Sequence, residues 1–114
     1  MNKREIGSKY EQAIGYYLEQ QGYEILEYNY RCRFGEIDLI AKEGDTLVFC
    51  EVKYRKNSWQ GSSLEAVNGK KQRTIYKVAE YYLYTHYLKN IPCRFDVVGI
   101  EDDQIILLKN AFEV

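Results

Sequence analysis

The sequence carries a single histidine, His86, and three cysteines, Cys32, Cys50 and Cys93, with no C-x-x-C spacing among them. Ser-His or Cys-His catalysis would have to rest on His86, whose setting, Tyr84-Thr85-His86-Tyr87, is that of a packing or surface residue. The odd cysteine count, with Cys50 inside an apolar run, predicts buried free thiols in place of a metal or redox centre. No apolar run approaches the roughly 18 residues of a membrane span, and there is no positively charged, then apolar, then small-residue leader, so a soluble, cytoplasmic protein is expected. Net charge is −1, so the chain as a whole lacks the basic signature of an obligate nucleic-acid binder.

What is present is enough for one core. At 114 residues and 46% hydrophobic content, a single domain over 1–114 is expected. Charge is locally uneven. From Glu51 to Lys77 the cations Lys53, Arg55, Lys56, Lys70, Lys71, Arg73 and Lys77 face only two anions, Glu51 and Glu65. Such a segment fits either a phosphate-facing surface or a solvated helix face.

Asn2 followed by Glu5 marks a helix start, and Tyr10, Ala13, Ile14, Tyr17, Leu18 and Gln21 then recur at helical spacing until Gly22. Tyr23 to Arg31, Gly35 to Lys42 and Leu47 to Lys53 read as strands, the last two as a hairpin across Lys42-Glu43-Gly44-Asp45. Asn57 to Ser63 reads as a loop. Ser62 and Glu65 have capping-box spacing, so a second helix is expected to start there, with Asn68-Gly69 as a candidate break. Ile75, Val78, Ala79, Tyr82 and Leu83 give it an apolar stripe. After Pro92, Cys93 to Ile100 and Ile105 to Lys109 read as two strands joined by Glu101-Asp102-Asp103. The expected order is α-β-β-β-α-β-β, an α/β fold with one mixed sheet of about five strands flanked by helices.

Four charges interrupt the most apolar strands. Strict alternation would put Glu36 and Asp38 on one face and Glu51 and Lys53 together on the next strand, with hairpin pairing bringing the two sets side by side. An isolated carboxylate in such strands would cost several kcal/mol or take up a proton. Salt bridges within the hairpin, a place at the wet end of the sheet, or a bound divalent cation can each remove that cost. Of these, only the cation makes function. Mg²⁺ prefers oxygen ligands and commonly takes one or two carboxylates plus waters, a demand Asp38 and Glu51 fit. Lys53 would then lie beside an attacking water and a phosphate, orienting the one and offsetting charge on the other. Glu11, three residues before Ile14 and seven before Leu18, projects with them toward the sheet, as a metal ligand, a partner of metal-bound water or half of a structural ion pair.

Gly35-Glu36-Ile37-Asp38-Leu39-Ile40 and Phe49-Cys50-Glu51-Val52-Lys53 together resemble the PD-(D/E)xK, or restriction-endonuclease-like, nuclease superfamily. More closely, the chain resembles the small bacterial YraN-type family, a relative of the archaeal Holliday-junction resolvases. The likeness extends through the Gly7-to-Ala13 helix, Lys70-Lys71, Arg94-Phe95-Asp96-Val97-Val98 and Asn110-Ala111-Phe112. It implies that Asp38, Glu51 and Lys53 form the catalytic D…E-x-K set, that Glu11 is the additional helix acid, and that Mg²⁺ or Mn²⁺ is held by Asp38, Glu51 and Glu11. Ile37 stands where the superfamily signature has proline, and Glu36 is an extra acid. The implied activity is phosphodiester hydrolysis in DNA, including branched or structured DNA, by a homodimer like the resolvases.

In that setting Arg55, Lys56, Lys70, Lys71 and Arg73 become candidate nucleic-acid contacts, with Lys77 continuing the helix face of Lys70 and Arg73. Tyr54 and Trp59 are candidate stacking residues. The alternative expectation is a non-catalytic nucleic-acid-binding or assembly module, its hairpin acids neutralised by Lys53 and nearby arginines.

Overall fold

The computed structural model describes residues 3–55, 68–101 and 104–113, with backbone alone at 3–9 and 55. The element order is α1 (Lys3–Gln20), β1 (Glu24–Cys32), β2 (Gly35–Glu43), β3 (Thr46–Arg55), α2 (Gly69–Thr85), β4 (Cys93–Glu101) and β5 (Gln104–Leu108). This is the expected succession. The five strands form one sheet in chain order, antiparallel except for the β3–β4 pair, which is parallel and has α2 as its connection. Among the described residues no helix is long and apolar enough to cross a membrane.

Local chemistry explains the ends of the helices. Gly22 has φ +96°, a conformation that favours glycine, and closes α1: its N–H reaches the Glu19 carbonyl at 3.1 Å while Tyr23 N–H reaches Leu18 at 3.0 Å. Leu18 and Tyr23 also pack in one cluster, the apolar contact that accompanies this kind of ending. Asn68 caps α2, its Oδ1 accepting from Lys71 N–H at 2.9 Å. Asn68-Gly69, a candidate break from sequence, is therefore the start of α2. The Asn2–Glu5 and Ser62–Glu65 capping pairs, the Asn57–Ser63 loop, Trp59 and the Asp102-Asp103 turn lie outside the described residues or side chains.

Each helix covers one sheet face. On the α2 side, Ile75, Val78, Ala79 and Tyr82 pack with Ile37, Ile40, Leu47, Phe49, Phe95 and Val97. On the α1 side, Ile14 and Leu18 pack with Leu39, Ala41, Val48, Cys50, Val98 and Ile100. Burying Ile14 and Leu18 stabilises the fold by about 1.5–3 kcal/mol each. Tyr10, Ala13 and Gln21, expected inward, are exposed. Gly15 takes the inward place: a Cβ there would lie 2.3 Å from Tyr28 Oη, so only a glycine lets α1 sit this close to β1. The cysteines are free, but only Cys50 is buried; Cys93 is exposed at the start of β4, which corrects the expectation of buried thiols throughout. His86 has the packing role expected, its ring stacked on Tyr82 at 3.9 Å.

One irregularity matters for the site. The β1–β2 register passes from Tyr28↔Leu39 to Tyr30↔Ile37, leaving Asn29 and Asp38 between. Tyr28 abuts Gly15 on the α1 side, whereas Tyr30 meets Tyr82 on the α2 side at 5.1 Å. Likewise Ile37 joins Ile40 in the α2-side cluster, although Leu39 between them faces α1. Alternation thus breaks at the same point in both strands. Asn29, with φ +53°, supplies the turn of the backbone, a conformation that asparagine tolerates better than most residues. Strict alternation therefore does not carry Glu36 and Asp38 to a shared face.

Candidate functional site

The break at Asp38 frees its carboxylate from the ladder. The β2–β3 register ends at Leu39↔Cys50, and one step further the Asp38 side chain takes over as acceptor, with Val52 N–H donating to Oδ2 at 2.8 Å. Glu51 is the neighbour on β3, 5% exposed, on the α2-facing side with Leu47 and Phe49. Its Oε1 lies 3.5 Å from Lys71 Nζ and 3.8 Å from Lys53 Nζ. Its Oε2 is buried and has no hydrogen-bond donor among the described residues.

Electrostatics follow from that crowding. Burial, then the charge of Asp38, push the Glu51 carboxyl up to about 7, with Lys71 and Lys53 acting in the opposite direction. Burial also raises Asp38 from its ordinary value, opposed by the Val52 N–H and reinforced by Glu36. The two carboxyls act on each other, Asp38 raising Glu51 and Glu51 lowering Asp38. A buried acid beside a half-buried one, with an oxygen that has no donor among the described residues, makes a site that is short of positive charge.

Glu11 reaches the same region from α1, where its Oε2 accepts a hydrogen bond from Asn29 Nδ2. Burial raises its pKa, and the Asp38 and Glu36 charges add to that. Among the described residues no group of three or more His, Cys, Asp or Glu side chains is set to hold one metal ion. Asp38 and Glu51 are brought together as expected, whereas Glu11 is tied to Asn29. Glu36 pairs with exposed Arg31 at 3.1 Å.

The predicted nucleic-acid contacts divide. Lys71 turns inward to Glu51, while Lys70 and Arg73 are exposed on α2. The Arg55 side chain and all of Lys56 lie outside the description. Two features were absent from the sequence reading, the Asn29 anchor of Glu11 and the Lys71 contact with Glu51. An asparagine interrupting the aromatic run Tyr28-Asn29-Tyr30 was the available signal for the first; the second depends on where α2 crosses the sheet.

A second buried acid provides a contrast. Asp96 is wholly buried, yet it accepts from Tyr23 Oη at 2.8 Å and from Arg94 Nε, Arg94 Nη2 and Asn110 N–H at 2.9 Å each. Arg94 and Lys109 each contact Glu43 at 2.8 Å, closing the network. This acid is compensated and structural. Glu51 is not compensated in that way.

Residues 10–100 match the profile of the uncharacterised protein family UPF0102. A UPF0102 protein of Lachnoclostridium phytofermentans is 50% identical over 114 residues, covering 99% of this chain and 97% of its own. Another from Caldicellulosiruptor saccharolyticus is 47% identical over 118 residues, covering 98% of this chain and all of its own. A UPF0102 protein of Vibrio parahaemolyticus is 46% identical over 102 residues, covering 89% of this chain and 84% of its own. With a profile spanning most of its length and relatives aligned nearly end to end, the chain belongs to the UPF0102 family.

Proposed function

We propose that this protein is a divalent-metal-dependent nuclease of the restriction-endonuclease-like type, hydrolysing phosphodiester bonds in DNA, including branched or structured DNA. The observation that carries the proposal is the buried Glu51 carboxylate beside half-buried Asp38, with an oxygen that has no donor among the described residues, and Lys53 and Lys71 beside it. A donor set of two carboxylates with room for waters suits Mg²⁺ or Mn²⁺, and Asp38 and Glu51 would hold it. Bound there, the ion supplies Lewis-acid activation of water and neutralises charge on a phosphate.

The chain's own groups have distinct parts. Asp38 is fixed by the Val52 N–H and holds its orientation before any substrate arrives. Glu51 and Asp38 bind a cation with both carboxyls ionised. Lys53, its Nζ near Glu51 Oε1, orients the attacking water and offsets the negative charge that grows on the phosphate. Lys71 supplies a second cation from α2. Glu11, held by Asn29, positions solvent at the rim and is not placed among the ligands. A homodimer, as in the resolvases the sequence resembles, belongs to the same proposal.

The second reading, a non-catalytic nucleic-acid-binding or assembly module, draws on the two lysine contacts to Glu51, which partly balance its charge. One experiment separates the two. Labelled linear, flapped and four-way DNA is incubated with Mg²⁺, Mn²⁺ or EDTA and wild type, Asp38→Asn or Glu51→Gln. Metal-dependent cutting lost in both variants supports the nuclease; binding without cutting, equal in all three proteins, supports the module.

A further inference from the structure

The outer face of α2 carries a single stripe. Lys70, Arg73, Lys77, Tyr81 and Tyr84 follow one another at three- or four-residue steps, so they line one side of the helix over about 21 Å at 1.5 Å per residue. It starts in the turn from which Lys71 reaches Glu51. It ends in aromatics. The tip of the β1–β2 hairpin lies against the middle of this stripe, because Gly35 packs so tightly on α2 that a Cβ there would lie 2.8 Å from Thr74 Cγ2.

That contact brings Phe34 beside Tyr81, with ring centroids 5.9 Å apart, and Arg33 stacks over Phe34 at 4.9 Å. Phe34, Lys77, Glu80, Tyr81 and Tyr84 line a cleft of about 410 Å³. Tyr84 is 82% exposed and stands as a ridge between this cleft and a second one bordered by Leu83, Tyr87 and Leu88. Aromatic rings this exposed bury little in the fold and add nothing to its core. Around them are Arg33, Arg73 and Lys77, and Glu80 is the acid of the cleft lining.

We propose that this cleft receives the unpaired bases of a single-stranded DNA segment continuous with the phosphodiester at Asp38 and Glu51. The inference rests on the nuclease reading for the placement of the scissile bond, and it narrows the substrate to DNA with a single-stranded arm. Tyr84 and Phe34 offer ring faces and edges on which bases stack, a sequence-tolerant contact, while Arg73 and Lys77 meet the backbone phosphates. Glu80 accepts from exocyclic amino groups of bases. Duplex DNA keeps its base faces stacked internally and cannot use these rings. A second copy of the chain is a poorer occupant, since a self-complementary contact would set Arg73, Lys77 and Arg33 against their own like charges.

The test measures binding of the full chain in EDTA, by fluorescence anisotropy, to blunt duplex and to the same duplex bearing a single-stranded tail. Wild type should bind the tailed DNA more tightly. Tyr84→Ala and Lys77→Ala should each weaken tailed binding roughly fivefold or more, change blunt binding less than about twofold, and Tyr84→Phe should restore it. Both side chains are exposed, so unchanged melting temperatures will show that the variants fold. Equal affinity of wild type for the two DNAs, or no response to either alanine variant, overturns the inference, as does a dimer that Tyr84→Ala dissolves. Cutting assays keep the two proposals apart. If wild type cuts nothing while Tyr84→Ala still loses tailed binding, the nuclease reading falls and the cleft stands; if wild type cuts and Tyr84→Ala binds unchanged, the reverse holds.

Discussion

Lys71 in the first turn of α2 reaches Glu51 on β3, with Nζ 3.5 Å from Oε1, while Glu51 Oε2 finds no donor among the described residues. A lysine from a helix and one from the strand thus share one oxygen of this carboxylate. The site is under-neutralised by construction, and several expectations rest on that.

Removing either carboxylate charge should abolish metal-dependent cutting without harming the fold. Asp38→Asn and Glu51→Gln are expected to lower cleavage by on the order of 10²-fold or more. Glu51→Gln should not lower the melting temperature at pH 8, because it removes a buried charge that lacks full compensation. Gel cleavage and thermal melting of the same preparations check both halves. A large stability loss with Glu51→Gln would mean that the carboxylate is a structural partner of the lysines.

Stability should depend on pH in a defined direction. The Glu51 carboxyl titrates near 7 in the fold, above its ordinary 4.5, so the folded chain holds this proton more tightly than the unfolded chain. Its contribution is whole below about pH 4.5 and is lost as pH rises through about 7. The metal-free protein is expected to melt progressively lower from about pH 5.5 to pH 8, and Glu51→Gln to flatten that decline. Added Mg²⁺ or Mn²⁺ should raise the melting temperature more at about pH 8 than at about pH 6, since Glu51 must be ionised to bind the ion. A metal response that grows toward acid would contradict the assignment.

Asn29 combines a left-handed backbone with a hydrogen bond to Glu11. Asn29→Ala should cost about 1–2 kcal/mol, and Asn29→Gly should recover most of it by relieving the backbone alone. Denaturant unfolding of the two variants measures the difference. Equal losses would shift the weight from the backbone to the Glu11 contact.

The Asp96 network should behave as structure. Asp96→Ala leaves half-buried Arg94 against Glu43 without its main partner and removes a wholly buried acceptor from Tyr23 and Asn110, so a loss of roughly 3–5 kcal/mol is expected. Gly35→Ala should also destabilise, through φ +147° and the close Thr74 methyl. Thr74→Ser removes that methyl but leaves the backbone strain, so it should rescue Gly35→Ala only in part. Urea denaturation of the single and double variants checks this.

The elements and their order are legible in the sequence, because helical and strand periods are written in local spacing and Gly22 ends α1 through its own backbone chemistry, whereas Asn68, a candidate break in the sequence, caps the start of α2. The sequence also placed Asp38, Glu51 and Lys53 together, since hairpin pairing and alternation are short-range rules. Where alternation failed, at Asn29 and Asp38, the cause was a left-handed residue whose effect shows only against a paired strand. Tyr10 and Ala13 satisfied the helical period yet face solvent, while Gly15 faces in, because the distance between α1 and β1 is set by the sheet. The assignment of Lys71 to Glu51, of Glu11 to Asn29 and of Phe34 to Tyr81 was left to tertiary structure. Each of these contacts joins segments distant in sequence, and only the docking of helix on sheet decides which side chains meet.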